Sequence, residues 1–220
     1  MLVRQISFLS QKFLRRPFTS LMSKSLVKSI EKCIDAELTE YQQDEAIPFF
    51  LRKAGFRLVD ENNSILIKLL KTTQEYDVEI HFNARLPDPI KTEEDEKNAQ
   101  DENYQPEQSV DFKVLLKKNG TKEGLVYECY TRNSSIWCEN VMMIENTDDF
   151  ISNIEMMNRS IYRGPGFFTL DKMLQDAISD HFRGLGLNDD LGLFLEVYSI
   201  DREQRLYMEW LNKIKEFASE

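Results

Sequence analysis

The sequence predicts an α+β fold, in which helices at both ends of the chain flank a central antiparallel sheet. Near the two ends, apolar residues recur every three or four positions, as they do on the buried face of a helix. Between about residues 56 and 144 they alternate with polar residues instead, which is typical of strands with one buried face. Short turn sequences separate these alternating runs, so consecutive strands are expected to pair in a meander.

The first predicted helix starts near Ser25 and is amphipathic. Its apolar positions are Val27, Ile30, Ile34, Leu38 and Tyr41. The helix is expected to end before Pro48, because the residue before a proline avoids helical geometry and proline has no amide hydrogen to donate. The sequence therefore predicts one helix before the sheet.

Three strands are predicted after Gly55. Alternation at 56–58 and again at 65–69 surrounds the polar segment 60–64, which has the composition of a turn, so these two runs form a hairpin. In the third run, 76–83, Tyr, Val, Ile and Phe alternate with polar residues. His81 falls on the polar side of this pattern, and we interpret it as a solvated strand residue.

Four more strands complete a predicted seven-stranded meander. Runs at 110–116 and 125–129 are joined by the Lys-Asn-Gly turn at 118–120, and two weaker runs lie at 136–144 and 161–169. Gly164, Pro165 and Gly166 are interpreted as a turn or bulge inside the last strand pair.

Two or three helices are predicted to close the chain. The first has an apolar stripe through Leu170, Leu174 and Phe182, with Thr169 as its N-cap and Gly184 and Gly186 at its end. A second helix follows Asn188, because Asp189 and Asp190 suit the first turn, where the helix dipole favours negative charge. Helical apolar spacing then continues from Asp201 to the end of the chain.

Basic residues are concentrated at the N-terminus. Residues 1–30 contain six basic residues, several serines and no acidic residue, a composition typical of a mitochondrial transit peptide. We predict a transit peptide at 1–22, import into the mitochondrial matrix, and a single domain at 23–220. The alternative is a basic tail or a helix that lies on a membrane surface.

The rest of the chain is acidic. Residues 31–220 hold 22 basic residues against 38 acidic ones, a net charge of −16. Such a charge attracts basic partners and disfavours direct binding to nucleic acid. Charged residues interrupt every apolar run, so no transmembrane segment is predicted.

A disordered acidic loop is predicted at about 88–107, where apolar periodicity is absent. Its acidic residues are the candidate contacts for basic partners: Glu93, Glu94, Asp95, Glu96, Asp101, Glu102 and Glu107. The alternative interpretation is a solubilising insert with no binding role.

No motif in the sequence predicts catalysis, a metal site or a cofactor site. The three cysteines, Cys33, Cys129 and Cys138, lack the spacing of a metal site or a disulfide framework and are interpreted as packing residues. We therefore predict a non-enzymatic protein. The rival hypothesis is an enzyme such as a hydrolase, whose carboxylates would converge in a pocket with one raised pKa.

Several segments resemble the mitochondrial glycoprotein family. The segment DVEIHFN at 77–83 is similar to the third strand of that family, and Gly186-Leu187-Asn188-Asp189 and YMEWLNKIKEF at 207–217 are similar to its C-terminus. This resemblance implies a ring-shaped homotrimer in the mitochondrial matrix. Each subunit's twisted antiparallel sheet would line a central channel, with helices outside and at the interfaces.

The resemblance also implies a function. Members of the family are acidic multi-ligand proteins without established catalytic residues, associated with oxidative phosphorylation and with mitochondrial ribosome assembly, translation or RNA processing. We expect a trimeric adaptor or chaperone that binds basic ribosomal or RNA-binding proteins. The alternative is an accessory subunit of mitochondrial RNA editing or processing that acts through an RNA-binding partner.

Overall fold

The computed structural model has the predicted α+β class. It describes residues 18–61, 64–84, 88–89, 108–148 and 162–219, and the side chains of these from residue 24 onward, except those of 88, 89 and 108. The chain divides into two compact units. The described residues up to Tyr41, together with those from Tyr207 onward, form a helical unit, and Gln42–Leu206 form a sheet unit.

Six strands form the main sheet of the sheet unit. They are β1 Arg57–Asp60, β2 Leu66–Thr72, β3 Tyr76–Asn83, β4 Asp111–Lys118, β5 Gly124–Arg132 and β6 Ser135–Ile144. Each strand pairs antiparallel with the next one in the chain, so the predicted meander is confirmed. The third predicted strand matches β3 at both ends.

The predicted seventh strand, 161–169, is wrong for its described part, 162–169. Gly166 forms a single bridge to Asn140, and Phe167–Thr169 form a short 3-10 helix. Gly164 has a φ of 75°, and Pro165 has no amide hydrogen, so this segment cannot continue a hydrogen-bonded ladder. The main sheet of the described residues therefore has six strands.

Four α-helices are described. They are α1 Phe18–Glu40, α2 Ala46–Ala54, α3 Lys172–Leu185 and α4 Asp189–Ser219. The first five residues of α1 belong to the segment predicted as a transit peptide. The expectation of one helix before the sheet is wrong, because α2 is a second one. Pro48 lies in the first turn of α2, where a backbone amide has no partner inside the helix.

Two helices follow the sheet, in agreement with the predicted two or three. The N-cap of α3 differs from the prediction. The carboxylate of Asp171, not Thr169, accepts a hydrogen bond from the Met173 backbone nitrogen, at 2.9 Å. Gly186 ends α3 with a φ of 89°, whereas Gly184 lies inside the helix. The helix predicted after Asn188 begins with Asp189 and Asp190 and continues to Ser219 without a break.

The hydrophobic core lies between one face of the sheet and helices α2, α3 and the first part of α4. Phe194 of α4 stacks on Phe50 of α2 and on Tyr198, with ring centroids 4.5 and 5.2 Å apart. Tyr127 of β5 meets Phe182 of α3 edge to face at 4.5 Å. We call this side of the sheet the core face.

An ionic network joins α4 to β1. The Arg202 guanidinium, only 2% exposed, lies 2.7 Å from an Asp60 carboxylate oxygen, in the geometry of an ion pair rather than an aligned hydrogen bond. The same carboxylate accepts hydrogen bonds from the Tyr198 hydroxyl at 2.7 Å and from Arg205 at 3.2 Å. Burial is the main cause that raises the pKa of Tyr198 to about 12, and its bond to Asp60 is the next.

The turn between β5 and β6 rests directly on α4. Asn133 and Ser134 both have positive φ, and the Glu196 carboxylate accepts hydrogen bonds from the Ser134 backbone nitrogen and hydroxyl at 3.1 and 3.2 Å. Gly192 lies beneath the turn, and a Cβ there would overlap the Ser134 carbonyl. The close approach therefore requires glycine at this position.

The helical unit consists of α1 and the end of α4. Ile30 and Leu211 are buried, and Lys215 forms an ion pair with Glu31 at 3.2 Å. Four large apolar side chains in this unit are exposed: Leu26, Leu38, Trp210 and Phe217. Within the described part of the chain, no helix is both long and apolar enough to cross a bilayer.

The cysteines differ from one another. Cys129 and Cys138 are buried in the core, as the packing interpretation predicts. Cys33 is exposed on α1, so for this residue the packing interpretation is wrong. Cys33 lies three positions after Ile30, which is buried, so neighbouring positions on one helix differ in exposure.

Candidate functional site

A row of polar side chains crosses the sheet on the side opposite the core face. The register places Lys68 of β2 opposite His81 of β3, His81 opposite Lys113 of β4, Lys113 opposite Glu128 of β5, and Glu128 opposite Asn140 of β6. The strand neighbours of Lys68, His81, Lys113 and Glu128 are core residues, so alternation puts these four on the other side, and Asn140 lies opposite Glu128. We call these five residues the polar row and this side the polar face.

Glu128 is the centre of the polar row. Its carboxylate accepts hydrogen bonds from the Lys113 ammonium at 3.1 Å and the Asn140 amide at 3.4 Å. The Arg163 guanidinium, which comes from the segment after β6, also pairs with it. Because Glu128 is buried, these three donors compensate for the loss of water around its charge.

His81 is buried, so its interpretation as a solvated strand residue is wrong. Only 4% of it is exposed, because the pairing puts it between Lys68 and Lys113 on the polar face. Its Nε2 lies 3.1 Å from a Glu79 carboxylate oxygen. This hydrogen bond is the main cause that lowers the pKa of Glu79, against the opposing effect of burial.

A cavity of about 540 Å³ lies along the polar row. His81, Lys113, Glu128 and Arg163 line it, together with Cys129. Burial raises the pKa of the Cys129 thiol well above its usual value, so this sulfur is a poor nucleophile near neutral pH. Burial, followed by the charge of Arg163, lowers the pKa of Lys113.

These groups favour binding through charge and hydrogen bonds. The rival hydrolase hypothesis requires a carboxyl group with a raised pKa in a pocket. The pKa of Glu79, on the same face of the sheet, is lowered, which is the opposite direction. Among the described residues, no three His, Cys, Asp or Glu residues are placed to hold a metal ion.

The seven acidic residues predicted to contact partners lie outside the described residues: Glu93, Glu94, Asp95, Glu96, Asp101, Glu102 and Glu107. The two ends of the acidic segment are described. Asp88–Pro89 pairs antiparallel with Gln108–Ser109, so the chain enters and leaves this segment at one place.

The sequence contains a partial signal for the polar row. The alternation in β3 and β4 identifies His81 and Lys113 as residues that point away from the core. It does not give the register between strands, so it cannot show that Lys113 lies opposite Glu128. Arg163 falls in the predicted strand 161–169, but the described part of that segment does not form a strand of the sheet, so the pattern there gives no correct position for Arg163.

The fold and composition define a class of protein: an acidic chain with an antiparallel six-stranded meander and helices at both ends. The chain belongs to the mitochondrial glycoprotein family, whose sequence profile matches residues 29–218. The family resemblance found in the sequence is therefore confirmed. This family includes mitochondrial acidic proteins.

One curated relative is the mitochondrial acidic protein mam33 of Schizosaccharomyces pombe. It is 26% identical over 96 residues, which cover 42% of this chain and 36% of that protein. The match thus spans about a third of the relative's length.

Two solved structures have the same fold. One is a Leishmania major protein of unknown function, described as a sequence homologue of human p32, with a TM-score of 0.67 and 17% identity over 90% of this chain and 99% of that one. The other is the Trypanosoma brucei p22 protein, with a TM-score of 0.69 and 16% identity over the same shares.

Proposed function

We propose that this protein is a trimeric, non-enzymatic adaptor or chaperone of the mitochondrial matrix that binds basic partner proteins. The observation that carries the proposal is the net charge of −16 on residues 31–220 in a chain that belongs to a family of mitochondrial acidic proteins. A dense negative surface accelerates encounter with basic proteins and opposes encounter with nucleic acid.

The exposed apolar residues of the helical unit support the homotrimer. Leu26, Leu38, Trp210 and Phe217 would leave water if this unit met further copies of the chain. Burial of apolar surface contributes roughly 25 cal/mol per Å². The ring with a sheet-lined channel is the arrangement that the family resemblance implies.

Charge determines the proposed partners. We assign part of the binding surface to the acidic residues of 93–107 and expect ribosomal or RNA-binding proteins as ligands. Exposed charges are screened beyond about 8 Å at physiological salt, so affinity falls as salt rises. A role in oxidative phosphorylation, ribosome assembly, translation or RNA processing would follow from which basic proteins bind.

Assembly is tested by light scattering coupled to size-exclusion chromatography on residues 23–220. We expect about three subunit masses, and a shift to the monomer when Phe217→Asp puts a charge on the exposed apolar surface. Met173→Asp is the matched control, because Met173 is equally exposed but lies on α3 of the sheet unit. A monomeric wild-type protein would contradict the homotrimer.

Partner binding is tested by affinity capture from matrix extract across a salt series. Basic proteins should be captured at low salt and released as salt rises. Replacing 93–107 with an uncharged Gly-Ser segment of equal length should weaken capture, whereas unchanged capture would favour the solubilising role. Capture that is insensitive to salt would contradict the electrostatic proposal.

A further inference from the structure

We propose that an apolar groove between β6, α3 and the start of α4 is a docking site for one apolar side chain of a basic partner segment. A Lys or Arg of the same segment would pair with Asp189 at the mouth of the groove. This inference rests on the proposed function, since it names the recognition element of the basic partners. We call the site the aromatic groove.

The floor of the aromatic groove is apolar and buried. The cavity measures about 350 Å³, and Phe167, Phe182, Cys138 and Leu187 form its base. Ligand pockets in proteins begin at about 300 Å³. The groove therefore accommodates one large apolar side chain rather than a whole folded element.

Two exposed aromatic rings form the walls. Trp137 of β6 is 41% exposed and Phe168 of the 3-10 helix is 59% exposed, with ring centroids 6.2 Å apart. Both line the cavity, so their exposed faces continue its apolar floor. Aromatic side chains around a pocket are typical of the residues that dominate protein interfaces.

The charges at the mouth select a cation. Asp189 lines the groove, and among the described residues its carboxylate forms no ion pair. Arg183, the cation that lines the groove, is held by Asp180 at 2.9 Å. Asp189 also lies in the first turn of α4, where the helix dipole favours the ionised carboxylate.

The same charges argue against acidic occupants. A segment rich in Asp and Glu, including residues 93–107 of this chain, would meet Asp189 and the net negative charge of the protein. A basic segment is attracted both by Asp189 and by the net negative charge of the protein. The apolar floor adds a requirement that charge alone does not impose, which separates this site from general attraction to basic proteins.

The test uses a fluorescently labelled peptide with one phenylalanine flanked by arginines, and a second peptide with alanine in place of the phenylalanine. Binding to the full chain is measured by fluorescence anisotropy. We expect the alanine peptide to bind about tenfold more weakly. Phe168→Ala should weaken the phenylalanine peptide to the same degree, and Asp189→Asn should weaken both peptides about two- to fivefold at low salt.

Two variants are matched controls. Phe49→Ala removes an exposed ring of α2 outside the groove, and Asp176→Asn removes a carboxylate of α3 that does not line it. Both should leave affinity unchanged. Trp137 also gives a direct readout: in a Trp210→Phe background it is the one tryptophan, and its emission should change on adding the phenylalanine peptide.

The outcomes separate this inference from the proposed function. If both peptides bind wild type and Phe168→Ala with equal affinity, the groove is not the docking site, while binding of basic partners stands. If neither peptide binds, both proposals fail. If Phe168→Ala instead changes the mass measured by light scattering, a second copy occupies the groove and the inference is overturned.

Discussion

The two faces of the sheet are built from the same strands but are stabilised in different ways. On the core face, aromatic rings from α2 and α4 stack on one another, and Tyr198 meets Phe82 of the sheet edge to face. On the polar face, buried charges of opposite sign neutralise one another around Glu128. The rings of the core face pack closely on one another, whereas the polar row holds charged groups beside a cavity.

The largest expected effect is on the core face. Phe194→Ala should lower the free energy of unfolding by about 3–5 kcal/mol, because it leaves a cavity between Phe50 and Tyr198. Chemical denaturation measures the loss. Phe49→Ala, an exposed ring on the neighbouring helix, should change stability by less than about 0.5 kcal/mol. Equal losses in the two variants would contradict the assignment of the core face.

A smaller effect is expected on the polar face. Glu128→Gln keeps the shape of the side chain but removes the charge that Lys113 and Arg163 share. Since both cations are partly exposed, we expect a loss of about 1–3 kcal/mol in urea unfolding. Glu139→Gln, an exposed carboxyl group that lines the same cavity, is the control. If Glu128→Gln increased the free energy of unfolding, the buried charge of Glu128 would destabilise the fold.

The polar face should also make stability depend on pH. The pKa of Glu79 is lowered in the folded protein, so its ionised form stabilises the fold above the unfolded value near 4.5. That contribution is lost as pH falls through the lower, folded pKa. Unfolding free energies measured between pH 6 and 3 should therefore fall less steeply for Glu79→Gln than for wild type. Parallel curves would show that the His81 contact does not stabilise the carboxylate.

The smallest effect is expected at the margin of the polar face. Lys117 pairs with Asp148 at 3.3 Å, and the carboxylate is largely exposed. Lys117→Ala should change the free energy of unfolding by no more than about 1 kcal/mol, with less change at high salt. Thermal unfolding at two salt concentrations measures it. A loss as large as that of Glu128→Gln would erase the distinction between buried and exposed pairs.

The sequence predicts those parts of the fold that depend on local pattern. Strand β3 is predicted to the residue because four apolar residues alternate with four polar ones, and the start of α4 because Asp189 and Asp190 suit a first turn. Helix α2 is missed because it has nine residues and a proline. In each case, the strength of the local sequence pattern decides whether the element is predicted or missed.

Other features depend on which strands meet, and the sequence does not contain that information in local form. The polarity of His81 predicts exposure, but pairing with its neighbours buries it. The segment wrongly predicted as a seventh strand has the apolar residues typical of a strand, but the backbone of Gly164 and Pro165 prevents pairing. The aromatic groove joins β6 to residues of α3 and α4 that lie more than 40 positions later, so no motif marks it.

Gly192 has a consequence for how variation in this protein is interpreted. Every single-nucleotide change of a glycine codon that alters the residue introduces at least a Cβ, which would meet the Ser134 carbonyl. A mutational scan should therefore find position 192 as intolerant as a binding residue, although glycine has no side-chain atom with which to bind a ligand. Intolerance at position 192 would then result from the limited space between this turn and α4. A scan alone would not distinguish this steric effect from a role in function.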